Sequence, residues 1–84
     1  MSYYLKKDIK FKKVGQGYLF ENGIGVNDTS FRIYELCTKN SFDEIIMCMK
    51  KEYSLEDISK EKFAKEIKEC LKNLTEVGLV EIVN

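Results

Sequence analysis

The order of the hydrophobic patterns constrains the fold of this 84-residue chain more than any single residue does. Between Asn27 and Val83, three short stretches have apolar residues at helical spacing, and one short strand pattern follows them. A segment rich in turn signals comes first and ends in Gly23-Ile24-Gly25-Val26. This order predicts an α+β fold of the winged helix-turn-helix type. It would have an N-terminal three-stranded antiparallel meander, three helices and a short C-terminal strand.

The N-terminal segment has the signals of three strands joined by tight turns. An alternating run from Ile9 to Lys12 predicts a first strand with one buried face, and residues 18–21 and 24–26 predict two more. Gly15-Gln16-Gly17 is the first turn. Asn22-Gly23 is the second, because both residue types tolerate the positive φ of a type I′ turn. The spacing predicts a meander in which the first and third strands form the edges.

Capping signals mark the ends of the three predicted helices. An Asn or Asp at residues 27–28 caps the first helix, and Ser41-Phe-Asp-Glu44 is a capping box for the second. A polar connection at residues 54–59 leads to the third helix, which ends before Gly78. Residues 79–83 form the final strand. The apolar stripe of the third helix consists of Phe63, Ala64, Ile67, Cys70, Leu71, Leu74 and Val77.

Composition predicts one small domain that spans residues 1–84. The hydrophobic fraction of 44% is ordinary for a globular protein. Fourteen basic and fourteen acidic residues give a formal net charge of zero, whereas DNA-binding domains usually carry a basic surplus. Neither a signal peptide nor a membrane-spanning run is present in the sequence. We therefore expect a cytoplasmic protein that binds neither nucleic acid nor a membrane.

The sequence offers no catalytic or metal-binding constellation. It contains no histidine, which is the commonest general base and metal ligand. Its three cysteines, Cys37, Cys48 and Cys70, lack C-x-x-C spacing and are expected to be free, buried thiols in a reducing compartment. A zinc site that uses all three is the alternative, although structural zinc sites usually have four ligands. We expect a protein that is not an enzyme and needs no cofactor.

The third predicted strand has an unprotected edge. It contains no charge and no proline, and Gly25 at its centre would let another backbone approach closely. An edge of this kind beside a helix can bind an extended peptide. Two other interpretations stay open, because Gly25 can mark a β-bulge or another part of the chain can cover the edge.

Three lysines of the third helix, Lys65, Lys68 and Lys72, share one face at about 100° per residue. They form either an ordinary solvated face or a basic rim that steers an acidic peptide toward the strand edge. Glu61 and Glu76 lie close to that face and favour the first interpretation, most clearly for Lys72.

Several segments resemble the PqqD family, named for pyrroloquinoline quinone biosynthesis protein D. They are Gly25-Val-Asn27, Ile33-Tyr-Glu-Leu36, Phe42-Asp-Glu-Ile-Ile46, Tyr53 and Leu74-Thr-Glu-Val-Gly-Leu-Val80. The sequence is also similar to the related leader-binding domains found with lasso-peptide and other peptide-modifying enzymes. The likeness covers nearly the whole chain. It departs at Thr38-Lys39-Asn40, where relatives commonly place an acidic residue and a glycine.

The resemblance implies a peptide chaperone, or RiPP recognition element. Such a domain binds the leader segment of a ribosomally synthesised precursor peptide and presents the peptide to a modifying enzyme, often a radical SAM enzyme. The leader would add as a strand to the backbone of Ile24, Gly25 and Val26. Side chains of the third helix would line the groove, namely Ala64, Ile67, Lys68, Leu71 and Thr75. The opposite side of that helix, with Cys70 and Asn73, is the alternative. On the first choice, Leu71→Lys would weaken leader binding while the fold persists.

Two other functions remain open. A winged-helix DNA-binding regulator would share the three helices and the hairpins, and it would place the third helix in the major groove. A structural subunit would instead form a homodimer by pairing the third strand with its own copy.

Overall fold

Six strands and three helices follow one another in residues 2–53 and 60–84, the part of the chain that the computed structural model describes. The N-terminal half contains β1 (Tyr3–Lys6), β2 (Phe11–Val14), β3 (Gly17–Phe20), β4 (Gly25–Asn27), α1 (Asp28–Glu35) and β5 (Thr38–Asn40). The C-terminal half contains α2 (Phe42–Tyr53), α3 (Lys60–Glu76) and β6 (Val80–Val83). The predicted connection at residues 54–59 lies outside the described residues.

The strands form two antiparallel sheets of three strands each. One sheet has the order β2-β3-β4, which confirms the predicted meander, although each strand is shifted by one or two residues. The other has the order β5-β1-β6 and joins the two ends of the sequence. The sequence pattern predicted β6 but neither β1 nor β5. The α+β class with three helices is confirmed.

The two turns of the meander differ in geometry. Gly15 and Gln16 form a two-residue turn between the paired residues Val14 and Gly17. The second turn was expected to be a two-residue type I′ turn, and this was wrong. Of its residues, only Gly23 has a positive φ, and its N–H donates to the carbonyl of Phe20 (2.9 Å). This is a three-residue loop, a type I turn followed by a glycine that forms a bulge.

The predicted helix caps are present. Asn27 caps α1 through its Oδ1, which accepts from the N–H of Ser30 (2.8 Å). Ser41 and Glu44 form the reciprocal capping box of α2. At the end of α3, Gly78 has a φ of 82°, and the N–H of Leu79 donates to the carbonyl of Leu74 (3.0 Å). This is a Schellman motif, and it directs the chain from α3 into β6.

The core lies between the meander, the three helices and β6. Its fully buried side chains are Phe20, Cys37, Ile45, Met49, Leu71, Leu79 and Val80. Aromatic rings connect the meander to α1, because Tyr18 stacks on Phe31 with 3.6 Å between centroids. Phe11 was expected on a buried strand face, yet 48% of it is exposed. Its ring covers the edge of the aromatic cluster and lies 4.8 Å from the ring of Phe31.

The cysteines are free, as expected, but only one of them is fully buried. Cys37 has no exposed surface, whereas Cys48 and Cys70 are half-buried. Among the described residues, no group of three or more Cys, Asp or Glu side chains is arranged to hold a metal ion. None of the described helices has the length and apolar character needed to cross a membrane.

Candidate functional site

The outer edge of β4 is the least protected sheet edge in the described part of the chain. Four strands lie at sheet edges, namely β2, β4, β5 and β6. The other three contain charged residues, which discourage pairing with a further strand: Lys12 and Lys13 in β2, Lys39 in β5 and Glu81 in β6. β4 consists of Gly25, Val26 and Asn27 and carries no charge. Within residues 2–53 and 60–84, β3 is its one strand partner.

The backbone of Gly25 faces this open edge. The N–H of Phe20 donates to the carbonyl of Ile24 (2.9 Å) at the start of the β3–β4 ladder. Bonded and non-bonded pairs alternate along an antiparallel ladder, so the pair Leu19–Gly25 is non-bonded and the pair Tyr18–Val26 is bonded. The N–H and C=O of Gly25 therefore point away from β3. They are the donor and the acceptor that an added strand would use.

A groove of about 430 Å³ lies beside this edge, between β4 and α3. Its wall on the meander and α1 side consists of Ile24, Gly25, Val26, Asn27 and Ser30. The opposite wall consists of five residues of α3 and the residue that follows the helix, namely Glu66, Glu69, Cys70, Asn73, Leu74 and Val77. An extended peptide paired with β4 would therefore place alternate side chains against α3.

Two contacts fix the direction of β4 relative to α3. The side-chain amide of Asn22 donates to the carbonyl of Val77 (3.5 Å), which joins the turn before β4 to the C-terminal end of α3. At the other end of the groove, the Cys70 thiol donates to the Ser30 hydroxyl (3.5 Å). β4 thus runs antiparallel to α3. The groove has an apolar end at Ile24 and Val77 and a polar end at Ser30, Glu66 and Glu69.

The charges that line the groove are acidic. Glu66 and Glu69 are both exposed and both contribute to its wall. Lys65, Lys68 and Lys72 do not line it. The expected basic rim therefore does not border this groove, and the charged side chains that line it are acidic instead.

The structure places the sequence-predicted site residues in two groups. The backbone of Ile24, Gly25 and Val26 was expected to pair with the leader; these residues line the groove, and their pairing with a peptide stays a prediction. The five residues expected on α3 do not line it, namely Ala64, Ile67, Lys68, Leu71 and Thr75. Leu71 has no exposed surface and Ile67 retains 2%, so both belong to the core. The hydroxyl of Thr75 donates to the Leu71 carbonyl (2.7 Å) within the helix.

The expectation that Leu71→Lys would weaken leader binding in a folded protein is therefore wrong, because it assumed that Leu71 lines the groove. A lysine at this fully buried position would place a charge in the core, and the cost of desolvating it would unfold the protein. The groove uses the other side of α3, with Cys70 and Asn73. No local signal in the sequence distinguishes this side from the other, because polar residues flank the apolar stripe of α3 on both sides.

The polar groups of the groove suit binding better than covalent chemistry. Burial raises the pKa of the Cys70 thiol, although the hydrogen bond with Ser30 acts in the opposite direction. The thiol therefore stays protonated at neutral pH, and a protonated thiol is a poor nucleophile. Comparisons of the chain with protein-family models, with curated proteins and with solved structures found no match. The function proposed below rests on the geometry of the groove and on the resemblance of the sequence segments.

Proposed function

We propose that this protein binds the leader segment of a ribosomally synthesised precursor peptide and presents the peptide to a modifying enzyme. The leader adds as a strand to the outer edge of β4 and lies in the groove beside α3. The observation that carries this proposal is the uncharged edge of β4, where the N–H and C=O of Gly25 face outward next to a groove. Strand addition of this kind is a recurrent mode of peptide recognition.

Because β4 is short, backbone hydrogen bonds can supply only a small part of the binding free energy. A three-residue strand offers few outward-facing backbone groups, and each net hydrogen bond contributes about 0.5–1.5 kcal/mol. Backbone pairing alone therefore cannot reach micromolar affinity, which needs about 8 kcal/mol. Most of the affinity and all of the sequence preference come from peptide side chains that contact α3.

The resemblance to the PqqD family is the reason for proposing a leader peptide among all extended peptides. It also supports a modifying enzyme, a radical SAM enzyme in many such systems, as the second partner. In this account the chain itself is not an enzyme and needs no cofactor. The chemistry and its cofactors belong to the partner.

A pair of variants at Gly25 tests strand addition. Gly25→Pro removes the outward N–H, and the β3–β4 ladder does not use that group. Gly25→Ala is the matched control, because its Cβ would meet only the Tyr18 carbonyl oxygen, at an ordinary 3.9 Å. The ligand is a synthetic leader of a short precursor encoded beside the gene. NMR titration of isotope-labelled protein measures the binding, and circular dichroism checks the fold.

We expect the leader to shift the amides of residues 24–27 and of the groove side of α3. Gly25→Ala should keep the affinity, and Gly25→Pro should lower it by about tenfold, which corresponds to 1.4 kcal/mol. Equal affinity of the two folded variants would contradict strand addition. Salt-sensitive binding to duplex DNA without leader binding would favour the regulator. A concentration-dependent dimer that loses its association in Gly25→Pro would favour self-pairing of β4.

A further inference from the structure

We infer that the peptide bound in this groove carries a lysine or arginine side chain, which enters the polar end beside Glu66 and Glu69. This inference rests on the proposed function and adds the class of peptide that the groove selects. The inference is based on the charge of the residues that line the groove. Their ionisable side chains are these two carboxylates and the Cys70 thiol. A bound peptide covers them and reduces their hydration, so a cation is favoured and an added anion is repelled.

Among the described residues, neither Glu66 nor Glu69 takes part in an ion pair. Arg32 forms ion pairs with Glu35 and Glu52, on another part of the surface. Lys62 and Lys65 lie one helical turn before Glu66 and Glu69 and share a neighbouring hollow with them. A lysine that precedes a glutamate by four residues is the weaker order for a helical ion pair. Both carboxylates therefore remain available to a ligand.

The length of the α3 wall sets the spacing of the peptide side chains that contact its two ends. From Glu69 in α3 to Val77, which directly follows the helix, the chain rises by about 12 Å at 1.5 Å per residue. Residues four apart in an extended strand are about 13 Å apart and point to the same side. A cation beside Glu69 and an apolar side chain beside Val77 are therefore four positions apart in the peptide. The apolar side chain occupies the end formed by Ile24, Leu74 and Val77.

The inference can be tested with synthetic peptides of about nine residues, which span the groove in extended form. Each has a threonine- and valine-rich background, blocked ends and the same fluorescent label. The first series places a leucine four positions before a lysine, and two matched peptides replace that lysine by glutamine or by glutamate. A second series reverses the order, because the strand can add to β4 in either direction. Fluorescence anisotropy measures affinity at low and at high salt.

The protein variants invert the charge of the groove. Glu66→Lys combined with Glu69→Lys is compared with Glu76→Lys combined with Glu81→Lys. The second pair changes the net charge equally at exposed positions that do not line the groove. Circular dichroism shows whether both variants remain folded.

In one of the two series, we expect the lysine peptide to bind roughly three- to tenfold more tightly than the glutamine peptide, and the glutamate peptide to bind most weakly. The difference should shrink at high salt, and the Glu66/Glu69 variant should prefer the glutamate peptide. The control variant should keep the preference of the natural protein. Binding without any charge preference, or with a preference for glutamate, would overturn the inference and leave the proposed function standing. If no peptide of either series binds and the leader does not bind either, the proposed function itself fails.

Discussion

At the scale of single residues, two glycines on the same face of the meander have opposite structural requirements. A Cβ placed on Gly17 would lie 2.6 Å from the carbonyl oxygen of Val26, so the backbone of β4 would have to move. A Cβ placed on Gly25 would meet no atom closer than 3.9 Å. Gly17 therefore lets β4 pack closely against β3. The packing of β4 against β3 does not require a glycine at position 25.

Alanine substitutions should separate these two glycines. We expect Gly17→Ala to lower the free energy of unfolding by about 2 kcal/mol or more, because a backbone atom must shift. Gly25→Ala should be neutral or stabilise by up to about 1 kcal/mol, because it reduces the entropy of the unfolded chain. Urea unfolding measures both. Equal stability of the two variants would show that β4 is not packed against Gly17 as described.

Cys37 makes the stability of the fold depend on pH. Burial raises the pKa of its thiol to about 12, whereas an unfolded cysteine titrates near 8.5. Because the folded pKa is the higher one, the unfolded state loses its proton first. The stabilisation is complete below about pH 8.5 and falls as the pH rises toward the folded pKa.

The variant Cys37→Ala removes this dependence and leaves Cys70 and Tyr34, whose pKa values burial also raises. Between about pH 8 and about pH 10, the unfolding free energy of the natural protein should fall more steeply than that of the variant. The extra slope should approach 1.4 kcal/mol per pH unit. Urea unfolding across this range measures the difference. Parallel pH profiles would contradict the buried, protonated state of Cys37.

At the scale of secondary-structure elements, the two long sides of α3 have different roles. One side contributes Ile67 and Leu71 to the core, and the adjoining side presents Cys70, Asn73 and Val77 to the groove. The lysine-bearing face does not line the groove. The side of the helix that lies next to β4 is therefore the side that lines the groove.

Bulky substitutions at neighbouring positions of α3 test this assignment. Asn73 is exposed and lines the groove, so Asn73→Trp should fill it and weaken peptide binding by more than about tenfold. Lys72 is exposed and does not line the groove, so Lys72→Trp should leave the affinity nearly unchanged. Both variants should unfold within about 0.5 kcal/mol of the natural protein. A stronger loss of binding in Lys72→Trp would place the ligand on the lysine face.

The sequence was most informative where the signals are local. The Asn27 cap, the capping box of α2 and the glycine after α3 each depend on residues a few positions apart, and all are present. The pairing of β1 with β5 and β6 depends on contacts between distant parts of the chain, which no short pattern specifies. The groove side of α3 was missed for the same reason. Polar residues flank its apolar stripe on both sides, and only the packing of α3 against β4 distinguishes them.

At the scale of the whole molecule, the charge distribution matters more than the net charge. The formal net charge is zero, so long-range attraction of a ligand is weak. The proposed peptide binding would therefore depend on local contacts, at the open edge of β4 and at the acidic end of the groove. The two sheets differ in the same way, because β5-β1-β6 joins the two ends of the sequence, whereas β2-β3-β4 leaves the uncharged edge of β4 open.

Hydrogen exchange of the Gly25 amide is the most direct test of the central claim. In the free protein this N–H points away from β3 and should exchange rapidly, whereas the Val26 amide is already protected by the ladder with Tyr18. When the tightest-binding peptide saturates the protein, we predict that the exchange of Gly25 slows by about tenfold or more. A bound peptide that leaves the exchange of Gly25 unchanged would contradict strand addition to β4.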